Sequence, residues 1–71
     1  MKIKEVIEEG KNALSKNNIE DNVIITRKLL AFVLGVEKQY LVIHLADELN
    51  AEDYIKFKEN INKLINGKPL Q

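Results

Sequence analysis

Cysteine is absent from this 71-residue chain, so no disulfide can brace it and no thiolate-ligated metal site can form. Histidine occurs once, at His44, and serine once, at Ser15. A zinc site would need His44 together with several carboxylates converging from different helices. A lone serine without a base and an orienting acid is no nucleophile, and Ser15 reads as part of a helix end. The three glycines stand at positions 10, 35 and 67, too far apart for a phosphate-cradling loop. One proline and three glycines also argue against a loop-rich or disordered chain. Charge of a prevailing sign is missing as well: eleven basic residues balance eleven acidic ones. That excludes the strongly basic footprint of a dedicated nucleic-acid domain, though not a local patch. No apolar run approaches the ~20 residues that span a bilayer. The N-terminal Lys2, Lys4, Glu5, Glu8 and Glu9 sit within a periodic helix and make no signal peptide. The expectation is a cytoplasmic, soluble protein without a membrane or direct nucleic-acid partner.

What remains is 45% hydrophobic and 31% charged, the balance of one small globular domain. A domain of this size buries only ~60% of its unfolded surface, so its stability rests on helix packing or on a neighbour. Ile3, Val6, Ile7, Gly10, Ala13 and Leu14 recur in steps of three and four, the pattern of an amphipathic helix. Ser15-Lys16-Asn17-Asn18 ends it, because asparagine tolerates left-handed backbone. Asn18 is expected to cap a second helix, with Ile19, Glu20 and Asp21 in its first turn and its body running to Leu34. Val23, Ile24, Ile25, Leu29, Leu30, Phe32, Val33 and Leu34 leave that helix apolar almost all round, which predicts a central helix packed on several sides. Its β-branched start could form a strand, but no partner strand exists elsewhere. Gly35 is the natural terminator.

A short, weakly capped helix is expected from Glu37 to Leu45, with Val36, Tyr40, Leu41, Ile43, His44 and Leu45 on its apolar side. Asp47-Glu48-Leu49 reads as a connector. Asn50 then caps a last helix with Glu52 and Asp53 in its first turn and Lys63 in its last. Tyr54, Phe57, Ile61, Leu64 and Ile65 form its buried stripe, with Ile55 beside it. Gly67 stops it and Pro69 prevents its resumption. The predicted fold is all-α, a small antiparallel bundle of four to five short helices.

No active site emerges. Carboxylate pairs such as Glu8-Glu9 and Glu52-Asp53 read as solvated charge. Phe32, Tyr40, Tyr54 and Phe57 at helical spacing read as core rather than as a binding strip. Arg27 is the only arginine. It either reaches solvent or pairs with an acid of the first helix, or else it serves an interface, where arginine is favoured.

Leu29-Leu30-Ala31-Phe32-Val33-Leu34-Gly35-Val36, then Tyr40-Leu41, then Gly67-Lys68-Pro69-Leu70-Gln71 carry a resemblance. The chain resembles the N-terminal domain of the release-factor glutamine methyltransferases, the HemK/PrmC family, over roughly residues 19–71. There a helix with Leu-Leu-x-x-Val-x-Gly precedes a short helix, and a longer one ends in Gly-x-Pro-Leu-Gln. Leu29, Leu30, Val33, Gly35, Gly67, Pro69, Leu70 and Gln71 stand at the matching positions. Ile25 and Thr26 replace the family's acidic residue and alanine, and Lys68 stands where glutamate is common.

The resemblance implies a parent enzyme that moves a methyl group from S-adenosylmethionine to the glutamine of the Gly-Gly-Gln loop of peptide-chain release factors. The family's cofactor loop and Asn-Pro-Pro-Tyr motif do not occur in these residues, so neither catalytic nor cofactor-binding residues are expected here. The expected organisation is a helical substrate-recognition domain over residues 1–66 and, over 67–71, the start of a linker to a C-terminal catalytic domain. The implied partners are that domain and the release factor, with Arg27, Lys28 and Lys68 as candidate contacts. Two alternatives stay open. A stand-alone helical interaction module would show itself as a stable dimer with a large apolar interface. A small helix-turn-helix protein would bind duplex DNA with steep salt dependence.

Overall fold

The computed structural model describes residues 1–67. It contains four helices: α1 (Ile3–Lys16), α2 (Asn22–Leu34), α3 (Lys38–Ile43) and α4 (Ala51–Ile65). Among the described residues there is no strand, only an isolated antiparallel bridge between Lys2 and Glu48. The all-α bundle expected from periodicity is the observed fold. The expected recognition and linker roles of its segments are functional assignments taken up below.

α1 turns Ile3, Val6, Ile7, Gly10 and Leu14 inward, the stripe that the steps of three and four require. α2 packs against α1, α3 and α4, and α1 packs against α4. Val6, Leu14, Leu30, Leu41, Phe57 and Ile61 are completely buried where these helices meet. Thr26 is the one buried polar residue among those described. Its hydroxyl donates to the Asn22 carbonyl at 2.6 Å, so its burial leaves no hydrogen bond unmade.

The helix ends follow local chemistry. α2 stops at Gly35, whose φ of +69° is left-handed, and the Val36 N–H returns to the Ala31 carbonyl at 3.0 Å. Asn50 caps α4 through its side-chain oxygen, which accepts from the Asp53 N–H at 2.9 Å. Glu37, in extended backbone, caps α3 with no side-chain bond, in keeping with its poor capping chemistry.

Asn18 does not cap α2. It holds φ of +59° and closes α1 instead: its N–H donates to the Ser15 carbonyl and that of Ile19 to the Leu14 carbonyl, each at 3.0 Å. Two asparagines in sequence can serve either end, and the carbonyls left open at the end of α1 claim this one. Asp21, also left-handed at φ +57°, precedes α2.

The segment read as a mere connector is structural. The N–H groups of Ile3 and Lys4, open at the start of α1, donate to the carbonyls of Asp47 at 2.9 Å and Leu45 at 3.0 Å. The Leu49 N–H donates to the Met1 carbonyl at 2.8 Å, and the Met1 amine pairs with Glu48 at 3.1 Å. Leu49 is buried beneath this tie.

Two expectations about burial fail. α2 is not covered on all sides: Ile24 and Phe32 are exposed. In α3 only Leu41 is buried, while Tyr40, Val42 and Ile43 face solvent. A bundle of this length has too few helices to enclose an all-apolar one.

Candidate protein-binding interface

α2 has two functions to divide among its residues. Thr26, Leu29, Leu30 and Ala31 go to the core. Ile24, Lys28 and Phe32, each one helical turn from the next, share the face left outside, and Arg27 is exposed beside it. Phe32 is 78% exposed, the largest value among the exposed large hydrophobic residues. Beyond Gly35 the chain turns and α3 begins beside the end of α2. This turn brings Lys38 to the same place as Lys28. Lys28, Ala31, Phe32, Val36, Glu37, Lys38 and Gln39 line an open depression of about 470 Å³.

The charge around it is one-sided. Lys28 and Lys38 share the depression with a single carboxylate, Glu37, and Arg27 adds a third exposed cation on the adjoining face of α2. Among the described residues none of these three cations has an ion-pair partner, so Arg27 is not taken up by an acid of α1. An exposed aromatic ring rimmed by two ammonium groups, with a guanidinium on the neighbouring face, has the composition of a protein-docking surface.

The acid of α1 that does find a partner is Glu9, and its partners are on α4. The Tyr54 hydroxyl donates to Glu9 Oε1 at 2.9 Å and to Oε2 at 3.0 Å, and Lys58 Nζ lies 2.9 Å from Oε1. The Glu8-Glu9 pair reads in sequence as solvated charge, but Glu9 is half-buried and clamps α1 to α4. The Lys58 hydrogen bond, followed by that from Tyr54, holds the Glu9 carboxyl below the usual 4.5 against the opposing effect of burial. The Tyr54 hydroxyl is pushed up, chiefly because Glu9 holds its proton. For an acid depressed in the folded state, the stabilisation is complete above its unfolded value and is lost as the pH falls through its folded value. Tyr54→Phe is therefore expected to cost about 1 kcal/mol at neutral pH. That cost should shrink in urea titrations as the pH falls below 4.5 and through the lower folded-state value of Glu9. A cost independent of pH over that range would refute the clamp.

His44 stacks on Tyr40 with ring centroids 3.9 Å apart, and its Nδ1 lies 2.6 Å from Asp47 Oδ2. These neighbours tie it to the end of α3. Among the described residues no three histidine or acidic side chains gather in a metal-ligating group. The glycines do not fit a cofactor cradle either. Gly10 is buried in α1 against Phe57 and Thr26, while Gly35 and Gly67 each follow the end of a helix in left-handed backbone.

The positions singled out by sequence are thus scattered by role. Leu29 and Leu30 are core, Val33 is half-buried, and Gly35 and Gly67 end helices. Arg27 and Lys28 are exposed together on α2. Lys68, Pro69, Leu70 and Gln71 lie outside the described residues. Phe32 and Lys38 were missed as surface residues. Phe32 follows Lys28 by one helical turn, and that spacing was the available signal. Among the described residues no helix is long and apolar enough to cross a membrane.

Compared with known proteins, residues 5–71 match the family model of the PrmC N-terminal domain. No curated protein and no solved structure matches significantly.

Proposed function

The chain belongs to the PrmC N-terminal domain family, and from that premise we propose that it is the release-factor-recognition domain of an S-adenosylmethionine-dependent methyltransferase acting on the glutamine of the Gly-Gly-Gln loop. The family match over residues 5–71 is the observation that carries this reading. The open face of α2 supports it by offering somewhere for a protein to dock. In this reading the cofactor site and the site that receives the reacting amide belong to a C-terminal catalytic domain, and the segment from Gly67 onward leads to it. Both domains work in the cytoplasm, where translation termination takes place.

The helical domain contributes positioning. Contact with the release factor away from the reacting amide restricts the orientations the substrate explores before attack, which lowers the entropic barrier to methyl transfer. Binding energy gained at the remote face is then expressed as catalytic efficiency. The rigid α1–α2–α4 core suits this task, because a docking face built on packed helices holds its geometry better than one built on loops.

The test compares the full-length methyltransferase with a form lacking residues 1–71, using intact release factor as substrate. The expected result is a fall in kcat/KM of at least tenfold, mostly through KM, equivalent to about 1.4 kcal/mol of lost contact. An unchanged kcat/KM would sink the proposal. The isolated domain should give no binding signal with S-adenosylmethionine, and measurable affinity there would overturn the division of labour.

A further inference from the structure

We infer that the depression at the junction of α2 and α3 is the docking point itself, and that it accepts an apolar side chain flanked by carboxylates on the partner protein. The inference rests on the functional reading above for the partner's identity and on the geometry here for its chemistry.

Three observations converge on it. Phe32 is 78% exposed although it belongs to the most apolar helix of the protein, and it lines an open depression of about 470 Å³. An apolar side chain seated there would be covered by the ring and by Ala31 and Val36, which form the same wall. Lys28 and Lys38 reach the rim from two different helices, and Arg27 lies on the adjoining face of α2. Among the described residues these cations are unpaired, and Glu37 alone opposes them at the rim. The rim thus carries one positive charge in excess and Arg27 on the neighbouring face adds another, which in a protein of zero net charge is a local field that attracts an acidic segment.

The same charges argue against a second copy of this chain as the occupant. A two-fold contact would place Arg27, Lys28 and Lys38 against their own counterparts, where like charges repel. The central aromatic anchor with a charged rim is the usual anatomy of a hot spot, in which the ring supplies most of the affinity and the cations supply orientation and speed of encounter.

The experiment titrates the 71-residue chain with a bacterial peptide-chain release factor, following backbone amide shifts and the dissociation constant. Wild-type protein should bind, with shifts centred on Ile24–Gln39. Phe32→Ala should weaken binding roughly tenfold or more, and Phe32→Leu should restore much of it. The double reversal Lys28→Glu with Lys38→Glu should weaken binding by a similar factor and remove most of its salt dependence. Ile55→Ala, an exposed apolar residue on α4, should bind like wild type. Circular dichroism should show the Phe32 variants folded, since their side chains lie outside the core. Release factor that binds equally to all variants would overturn this docking point and leave the functional reading standing. No binding by wild type would sink the functional reading and this inference with it. A dimer of the free chain that Phe32→Ala dissolves would overturn the inference in favour of a second copy.

Discussion

Phe57→Ala should cost about 3–5 kcal/mol, the typical loss for truncating a fully enclosed phenylalanine. Phe57 is 0% exposed and is the largest of the fully buried side chains. It projects from α4 towards α1 and α2, and its ring lies against Gly10. Removing it leaves a cavity where three helices meet, and a short bundle cannot collapse into such a cavity without losing its other contacts. A 71-residue domain has about 4–11 kcal/mol of stability in total, so the variant should be marginal or unfolded at room temperature. If it folds, its Tm should drop by ~15 °C or more, because each kcal/mol corresponds to about 4–8 °C in a domain this small. The contrast is Phe32→Ala, which should change stability by less than ~0.5 kcal/mol because that ring is already in water. Urea denaturation of the two variants side by side tests both statements. Equal losses would mean that the two rings are not divided between core and surface as described.

Gly10→Ala should also destabilise, against the rule for helices. In the interior of a helix, alanine is favoured over glycine by about 1 kcal/mol. A Cβ at position 10, however, would lie 2.7 Å from Phe57 Cζ and 2.7 Å from Thr26 Cγ2. Carbon atoms pack at about 3.5–4.0 Å, so both neighbours would have to move. Both are completely buried, so neither can swing out into solvent to make room. Overpacking of this kind costs about 1–3 kcal/mol, enough to reverse the gain in propensity. Gly10→Val should be worse. A double-mutant cycle identifies the cause: Thr26→Ser removes the offending methyl while keeping the hydroxyl bonded to Asn22, so it should recover part of the loss caused by Gly10→Ala. A stabilised Gly10→Ala protein would show that α1 does not approach α2 and α4 this closely.

Much of this architecture was legible because it is local. The Ile3-to-Leu14 stripe, the stop at Gly35 and the Asn50 cap each depend on residues within one or two turns, and each is found as expected. Asn18 shows where local reasoning becomes ambiguous. Its side chain suits a helix start and its backbone tolerates a left-handed helix end, and sequence does not say which end needs it more. The Glu9–Tyr54–Lys58 clamp had no local signal, since its partners lie 45 and 49 positions apart. Its only trace is that Glu9 borders Gly10 in the buried stripe of α1 and that Tyr54 begins the stripe of α4.

The candidate interface was half legible. Arg27 and Lys28 stand out as the only charges on α2, but Phe32 between Ala31 and Val33 looks like core. The number of helices, their order and their ends follow from hydrophobic period and backbone preference, which act over a few residues and can be read along the chain. Which side of α2 stays open follows from how many neighbours exist to cover it. That is decided by long-range packing: α1, α3 and α4 together cover Leu29, Leu30 and Ala31 and leave Phe32 outside. Periodicity cannot distinguish the two sides of a helix that is apolar all round, and only the packed bundle does.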